Sequence, residues 1–218
     1  MSHYVAQEPS IVVSPAETLP MQPWWQELHL TINTSFKNKD FAAFPPTWDR
    51  LPADSAVAAK SLAEELGSNG IIAVVLVDDH PVACGGVTPF RGDNWIDAVE
   101  SAESMASSAA PRQHQTASDQ ISQTEDWELC CVCVHPHYRR TGLSEKIIRA
   151  LEQAIRPSGA RRLMSTYVME HTGAYWQHLG FEVVPGAGGV LKKGFTAQPG
   201  MPGLLEDIHF EMGRKLIK

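Results

Sequence analysis

The chain has 218 residues, 43% hydrophobic and 20% charged, enough for one compact domain that builds its core without disulfides or metals. A formal net charge of −7 argues against a nucleic-acid binder, which carries a basic patch or a high pI. No apolar run reaches the roughly 18 residues of a membrane span, and residues 1–22, with Pro9, Pro15 and Pro20, lack the basic start and apolar core of a secretory leader; we expect a cytoplasmic protein that touches no membrane.

In chain order, residues 1–22 read as a tail or, at Ile11 to Val13, a first edge strand, and the domain proper runs over 23–218. Trp24, Trp25, Leu28, Ile32 and Phe36 recur at nearly four-residue spacing and predict a helix. Asn38 to Asp54 holds Pro45, Pro46 and Pro52 and must be largely loop; its Phe41, Phe44 and Trp48 either line a pocket or pack beneath the loop. Ser55 to Leu66 reads as a second helix, stopped by Gly67 and Gly70. Ile71 to Val77 is an apolar, β-branched strand, Asp78 to Pro81 a turn, and Val82 to Thr88 the hairpin partner.

Asn94 to Glu125 is rich in Ser, Ala, Gln and acidic residues and poor in large apolar ones, so it predicts a mobile insertion with a fragment of helix from Ile96 to Met105. Trp127 to Val134 is a strong strand, and Leu143, Ile147, Ile148, Leu151, Ala154 and Ile155 form one helical stripe closed by Pro157 and Gly159. Arg162 to Val168 is a strand. Thr172 is placed to cap a short helix from Gly173 to Leu179 with Gly180 as its stop. Phe181 to Val184 is a brief strand, Pro185 to Pro202 a Gly/Pro-rich loop, and Asp207 to Gly213 alternates as a half-buried strand does.

Three of the four cysteines, Cys130, Cys131 and Cys133, crowd into one strand, with Cys84 on another, which is no disulfide framework. In a regular strand Cys130 and Cys133 face opposite sides and would not share a metal. They read as reduced structural thiols, and we expect no metal site. His135 and His137 read as solvated loop residues.

The most informative segment is the strand, then Arg139-Arg140-Thr141-Gly142-Leu143-Ser144, then the helix. A helix N-terminus leaves about four N–H groups unpaired and carries roughly half a positive charge. A glycine in the preceding turn lets a phosphate approach that backbone closely, and two arginines add cationic donors.

These residues resemble the CoA-pyrophosphate motif of the GCN5-related N-acetyltransferase (GNAT) family, Gln/Arg-x-x-Gly-x-Gly/Ala, with Ser144 in place of the last small residue. Val134 to Tyr138 is similar to the family's lead-in, Pro81 to Gly86 to its third strand, Tyr175 to Phe181 to its fourth-helix ending, and His209 to Met212 to its last strand. The resemblance implies a mixed, mostly antiparallel central sheet with helices on both faces, strands four and five splayed after a bulge, and acetyl-CoA as co-substrate. It also implies that the backbone of Val132, Cys133 and Val134 pairs with the pantetheine arm. The N–H groups of Arg140, Thr141, Gly142, Leu143 and Ser144 would hold the pyrophosphate, with Arg139 adding charge.

Attack on a thioester needs a neutral amine, hence a base, and the departing thiolate benefits from an acid. Glu128 lies eleven residues before Arg139, a spacing like that of the catalytic glutamate in the family's histone-modifying members. By strict alternation it shares a face with Cys130, Val132 and Val134; the alternative is an exposed carboxylate at the strand entrance. Where the family carries its tyrosine, this chain has Trp176, and Tyr175 lies one residue earlier, about 100° round a helix. Tyr175 is the acid candidate; otherwise the thiolate leaves without a side-chain acid or Tyr167 on strand five serves, and a buried aromatic is the plain reading of Tyr175. The resemblance implies acetyl transfer to a primary amine of a small molecule or peptide, the acceptor lying across Asn38 to Asp54 and Pro185 to Pro202. A non-catalytic acyl-CoA sensor, or another reaction on the same fold, stays open because of Trp176.

Overall fold

The computed structural model describes residues 8–37, 42–91, 125–196 and 202–218. The elements are β1 (Ser10–Pro15), α1 (Trp25–Phe36), α2 (Ser55–Leu66), β2 (Ile71–Val77), β3 (His80–Pro89), β4 (Asp126–Val134), α3 (Leu143–Ile155) and β5 (Arg162–Tyr167). Two single helical turns follow, α4 (Met169–Thr172) and α5 (Tyr175–His178), then β6 (Glu182–Leu191) and β7 (Ile208–Leu216). The strands form one seven-stranded sheet in the order β1-β2-β3-β4-β5-β7-β6. Only β4 and β5 run parallel among the described neighbours; the other pairs are antiparallel. This is the mixed, mostly antiparallel sheet with helices on both faces that the family resemblance implies.

The continuous apolar run of β2 is explained by burial on both sides. Ala73 and Val75 face α3, whose Ile147, Ile148, Leu151 and Ile155 form the first core together with Val87, Trp127 and Leu129. Ile72 and Val74 face α1 and α2, where Leu28, Ile32, Leu62 and Leu66 form the second. Gly85 and Gly86 let both helix layers come close. A Cβ at Gly85 would stand 2.8 Å from Ile147 and 3.2 Å from Val132, and one at Gly86 would stand 2.5 Å from Leu66.

Several expectations shift. The β2–β3 turn is Asp78 and Asp79 alone, both at positive φ (50° and 65°) as tight two-residue loops favour, so His80 already pairs with Val77. Thr172 does not cap the next helix. Its Oγ1 donates to the Val168 carbonyl (3.0 Å), inside α4, and Ala174 begins the separate turn α5. The glycine-rich stretch after Val184 is not loop until Leu191. β6 continues through Pro185 because it is an edge strand, where a missing N–H is tolerated, and a bulge between Val183 and Gly188 absorbs the irregular part. Most of the expected insertion, with its helix fragment at Ile96 to Met105, lies outside the described residues. Glu125 does not belong with it, since its carbonyl accepts from the N–H groups of Arg161 and Arg162 at the mouth of the β4–β5 pair.

Candidate active site

The site starts with one residue. Cys131 in β4 adopts φ +52°, and between Gly86↔Cys130 and Cys84↔Cys133 the strand carries two residues against one on β3. That is a β-bulge, and it changes which side each later residue faces. Leu129 and Val132 both pack toward α3, and Val134 joins them, while Cys130 and Cys133 both pack toward α1 and α2. The alternation expected of a regular strand is therefore corrected: Cys130 and Cys133 share a face, and Glu128 does not share one with Val132 and Val134.

The bulge also ends the parallel pairing. β4 and β5 are in register from Asp126↔Arg162 to Leu129↔Ser165 and no further, although both strands continue. A cleft of about 610 Å³ opens beyond that point, walled by Val132, Cys133 and Val134 on one side and by Thr172, Tyr175, Trp176 and Leu179 on another.

At its far end lies the turn into α3. Gly142 sits at φ +77° with no side chain capping the helix, and Arg140 at φ +64°. A Cβ at Gly142 would meet no protein atom within 4 Å, so the space over this backbone is open. Arg139, Arg140, Gly142, Leu143 and Ser144 line the cleft. Thr141 does not line it; its hydroxyl donates to the Tyr138 carbonyl (2.5 Å) and braces the turn. The Arg139 guanidinium is engaged, donating to the carbonyls of Ser35 (2.9 Å) and Val134 (3.4 Å). It ties the end of α1 to the end of β4.

Tyr175 is 37% exposed and lines the cleft, so the buried-aromatic reading does not hold for it. Burial raises the pKa of its phenol above the ordinary value, against a hydrogen bond with Ser144. Trp176 turns inward, stacked on Tyr167 (5.6 Å between centroids, 19°) and edge-on to Phe181 (5.3 Å). Tyr167 lies behind that indole, its hydroxyl accepting from Gln177 Nε2 (3.2 Å), and is not among the residues lining the cleft.

Glu128 is 7% exposed, so it is no surface carboxylate. It stands before the bulge, on the α1/α2 side, outside the cleft lining. Burial raises its pKa; Arg91, whose Nη2 lies 3.4 Å from Oε2, pulls it back down, and Glu65 adds to the rise. Glu65 is itself held by Arg50 at 2.5 and 2.6 Å.

The description "Acetyltransferase (GNAT) family" fits the family model that matches residues 33–181. The chain belongs to the GNAT family. Solved structures agree on the GNAT fold at low identity. An acetyltransferase of the GNAT family from Streptococcus pneumoniae is 17% identical with a TM-score of 0.55, covering 97% of this chain and 100% of its own. Ribosomal-protein-alanine N-acetyltransferase from Brucella melitensis is 15% identical at TM-score 0.53, covering 95% and 99%. A putative acetyltransferase from Salmonella typhimurium, solved with its cofactor acetyl-CoA, is 12% identical at TM-score 0.52, covering 97% and 95%. Among curated proteins none matches the sequence significantly.

Within this GNAT domain, sequence reasoning missed three contributors. Ser35 and Phe36 wall the cleft from the last turn of α1, a place marked in sequence only as the end of a helical stripe. Arg91 stands two residues past the end of β3 and carries no motif. Phe44 and Trp48 pack edge to face (5.1 Å), and Phe44 also meets His171 (5.9 Å). Ala43, Leu204 and Ile208 form a third small core there. Loop 42–48 thus rests on the β6–β7 end of the sheet, and Phe41 lies outside the described residues. Among the described residues no helix is long and apolar enough to cross a membrane, and no cluster of three or more metal-type ligands occurs.

Proposed function

We propose that this GNAT protein transfers the acetyl group of acetyl-CoA to a primary amine of a small molecule or peptide, by direct attack of the amine on the thioester. One observation carries the reading. A single cleft joins an uncapped helix N-terminus, open above Gly142, to a stretch of β4 that has lost its β5 partner. The first end suits an anionic pyrophosphate and the second an extended amide-bearing arm.

The parts divide as follows. N–H groups from Arg140 to Ser144 meet the pyrophosphate, and Thr141 and Arg139 hold that turn in place. The backbone of Val132, Cys133 and Val134 pairs with the arm and points the thioester toward the bulge. Glu128 is the base. It lies outside the cleft lining, so it takes the amine's proton through water, and its burial-raised pKa brings it nearer to working pH. Tyr175 is the acid. Its raised pKa keeps the phenol protonated, ready to give a proton to the departing thiolate as the tetrahedral intermediate collapses. The acceptor enters beside loop 42–48 and the β6–β7 end, where Phe44 and Trp48 supply an aromatic wall.

Thiol release from acetyl-CoA, measured against a broad amine panel alongside calorimetric CoA binding, tests this. We expect binding together with amine-dependent release. Tight binding with no release for any amine would favour the acyl-CoA sensor reading, to which Trp176 in the tyrosine's place lends its weight.

A further inference from the structure

The bulge in β4 brings together two thiols that acyl transfer does not use. Cys84 and Cys133 are register partners across β3 and β4, with Sγ atoms 3.6 Å apart. Partners in an antiparallel pair have Cα atoms about 4.5–5.5 Å apart, within the span that a disulfide bridges. The two differ in access. Cys84 is fully buried, its thiol also directed at the Cys131 carbonyl (3.7 Å). Cys133 lines the cleft next to Ser35. Cys133, 7% exposed, belongs to the cleft wall and the fully buried Cys84 stands directly behind it, which is the order of an attacking and a resolving cysteine.

Electrostatics agree with that division. The hydrogen bond shared with Cys84 holds the Cys133 thiol below its ordinary pKa despite burial. Hydrogen bonding to Cys131 and to Cys133, together with burial, raises Cys84. Cys130, two residues before the end of the bulge, is pushed up by burial and by Glu128 and is a poor nucleophile.

We propose that Cys133 and Cys84 form a thiol–disulfide exchange site in the wall of the cleft, whose oxidant is a disulfide carrying the pantetheine arm, such as CoA disulfide. The choice of oxidant rests on the CoA reading of the cleft; the dithiol itself does not. The Cys133 thiolate attacks one sulfur of the disulfide, the S–S bond breaks, and one CoA leaves with the proton that Cys133 gave up. A mixed disulfide remains on Cys133. Cys84 loses its proton and attacks Cys133 Sγ, and the second CoA leaves as thiol. Two protein thiols are oxidised, one CoA disulfide is reduced to two thiols, and β3 is bonded to β4 at the cleft.

The test uses the full, reduced chain, treated in parallel with CoA disulfide and with hydroxyethyl disulfide, and read by intact mass and peptide mapping. We expect loss of two hydrogens and a Cys84–Cys133 linked peptide, formed faster with CoA disulfide and slowed by acetyl-CoA. Cys84→Ala should stop at a stable adduct of one CoA on Cys133, and Cys133→Ser should give neither product, with circular dichroism confirming that both fold. If hydroxyethyl disulfide links the pair but CoA disulfide is no faster and acetyl-CoA gives no protection, the pantetheine assignment falls, and with it the CoA reading of the cleft. If neither reagent links Cys84 to Cys133 in the folded chain, or Cys131 takes the modification instead, the exchange site is overturned whatever the cleft binds.

Discussion

Upstream of Cys131, β4 is bonded on both edges, to β3 and to β5, and it carries the buried Glu128. Downstream it keeps β3, loses β5, and turns Val134 and Val132 toward α3 while Cys133 walls the cleft. Both stretches are apolar and β-prone, and both lie between the same helix layers. What separates them is one extra residue at positive φ. The comparison teaches that the part proposed to handle protons and the part proposed to hold the ligand belong to one strand but answer to different geometry, and they should be separable by mutation.

The largest expected effect is upstream. Glu128→Gln should reduce turnover at neutral pH by roughly 10²-fold or more, the usual range for a positioned base, while acetyl-CoA binding by calorimetry stays near the parent. The loss should shrink at high pH, where the amine is already neutral. An unchanged pH–rate profile would remove Glu128 from the chemistry.

Deleting Cys131 attacks the boundary itself. The deletion leaves Leu129, Val132 and Val134 on the α3 side and Cys130 and Cys133 on the other, so the hydrophobic pattern survives and the chain should fold. β4 then has no reason to leave β5. Losing two or three backbone hydrogen bonds to the arm, at about 1 kcal/mol each, should weaken CoA on the order of a hundredfold. Retained affinity in a folded deletion variant would mean that the bulge does not open the cleft.

Gly142→Val sharpens the downstream side. A residue with Cβ at φ +77° is strained, and the space it would fill is the space proposed for the phosphates. CoA affinity should fall at least about tenfold, or about 1.4 kcal/mol, with turnover at saturating acetyl-CoA much less affected.

Arg91→Ala should have the smallest effect and a definite sign. Arg91 lowers the pKa of Glu128 against its burial. Without that cation the carboxylate forms only at higher pH, so the acid limb of the pH–rate profile moves up. The variant should be slower below neutrality and close to the parent above it. A downward move would show that Arg91 acts otherwise.

The parts legible in the sequence were those with a repeating or local physical signal. The stripe from Leu143 to Ile155 matches α3 to the residue because 3.6-residue periodicity on a strongly amphipathic helix leaves no other phase. The Arg139 to Ser144 turn was legible because a strand, a glycine and a helix start fall in sequence order. The bulge was not. Its positive-φ residue is Cys131, with no glycine to mark it, and Cys130 to Cys133 offers small side chains that suit either core. Alternation counted through it therefore assigned Val132 and Val134 to the wrong face. The course of β6 was hidden for the opposite reason, since glycines and a proline that signal loop also suit an irregular edge strand. Arg91 and Ser35 became visible only through contacts distant in sequence.

A sheet normally exposes unpaired backbone at its two outer strands, here β1 and β6. Because β4 and β5 part company at Leu129 and Ser165, this one has a third edge, in its interior. Outer edges invite other chains and must be guarded against aggregation. The interior edge is instead recessed in a cleft between Val132 to Val134 and Thr172 to Leu179, so an outside strand would have to enter that cleft to pair with it. The molecule can thus keep an adhesive backbone surface at its centre without becoming sticky, and whatever fills that gap completes the sheet. Amide exchange should report this directly, with protection at Val132 to Val134 rising on ligand binding while protection at Asp126 to Leu129 barely moves.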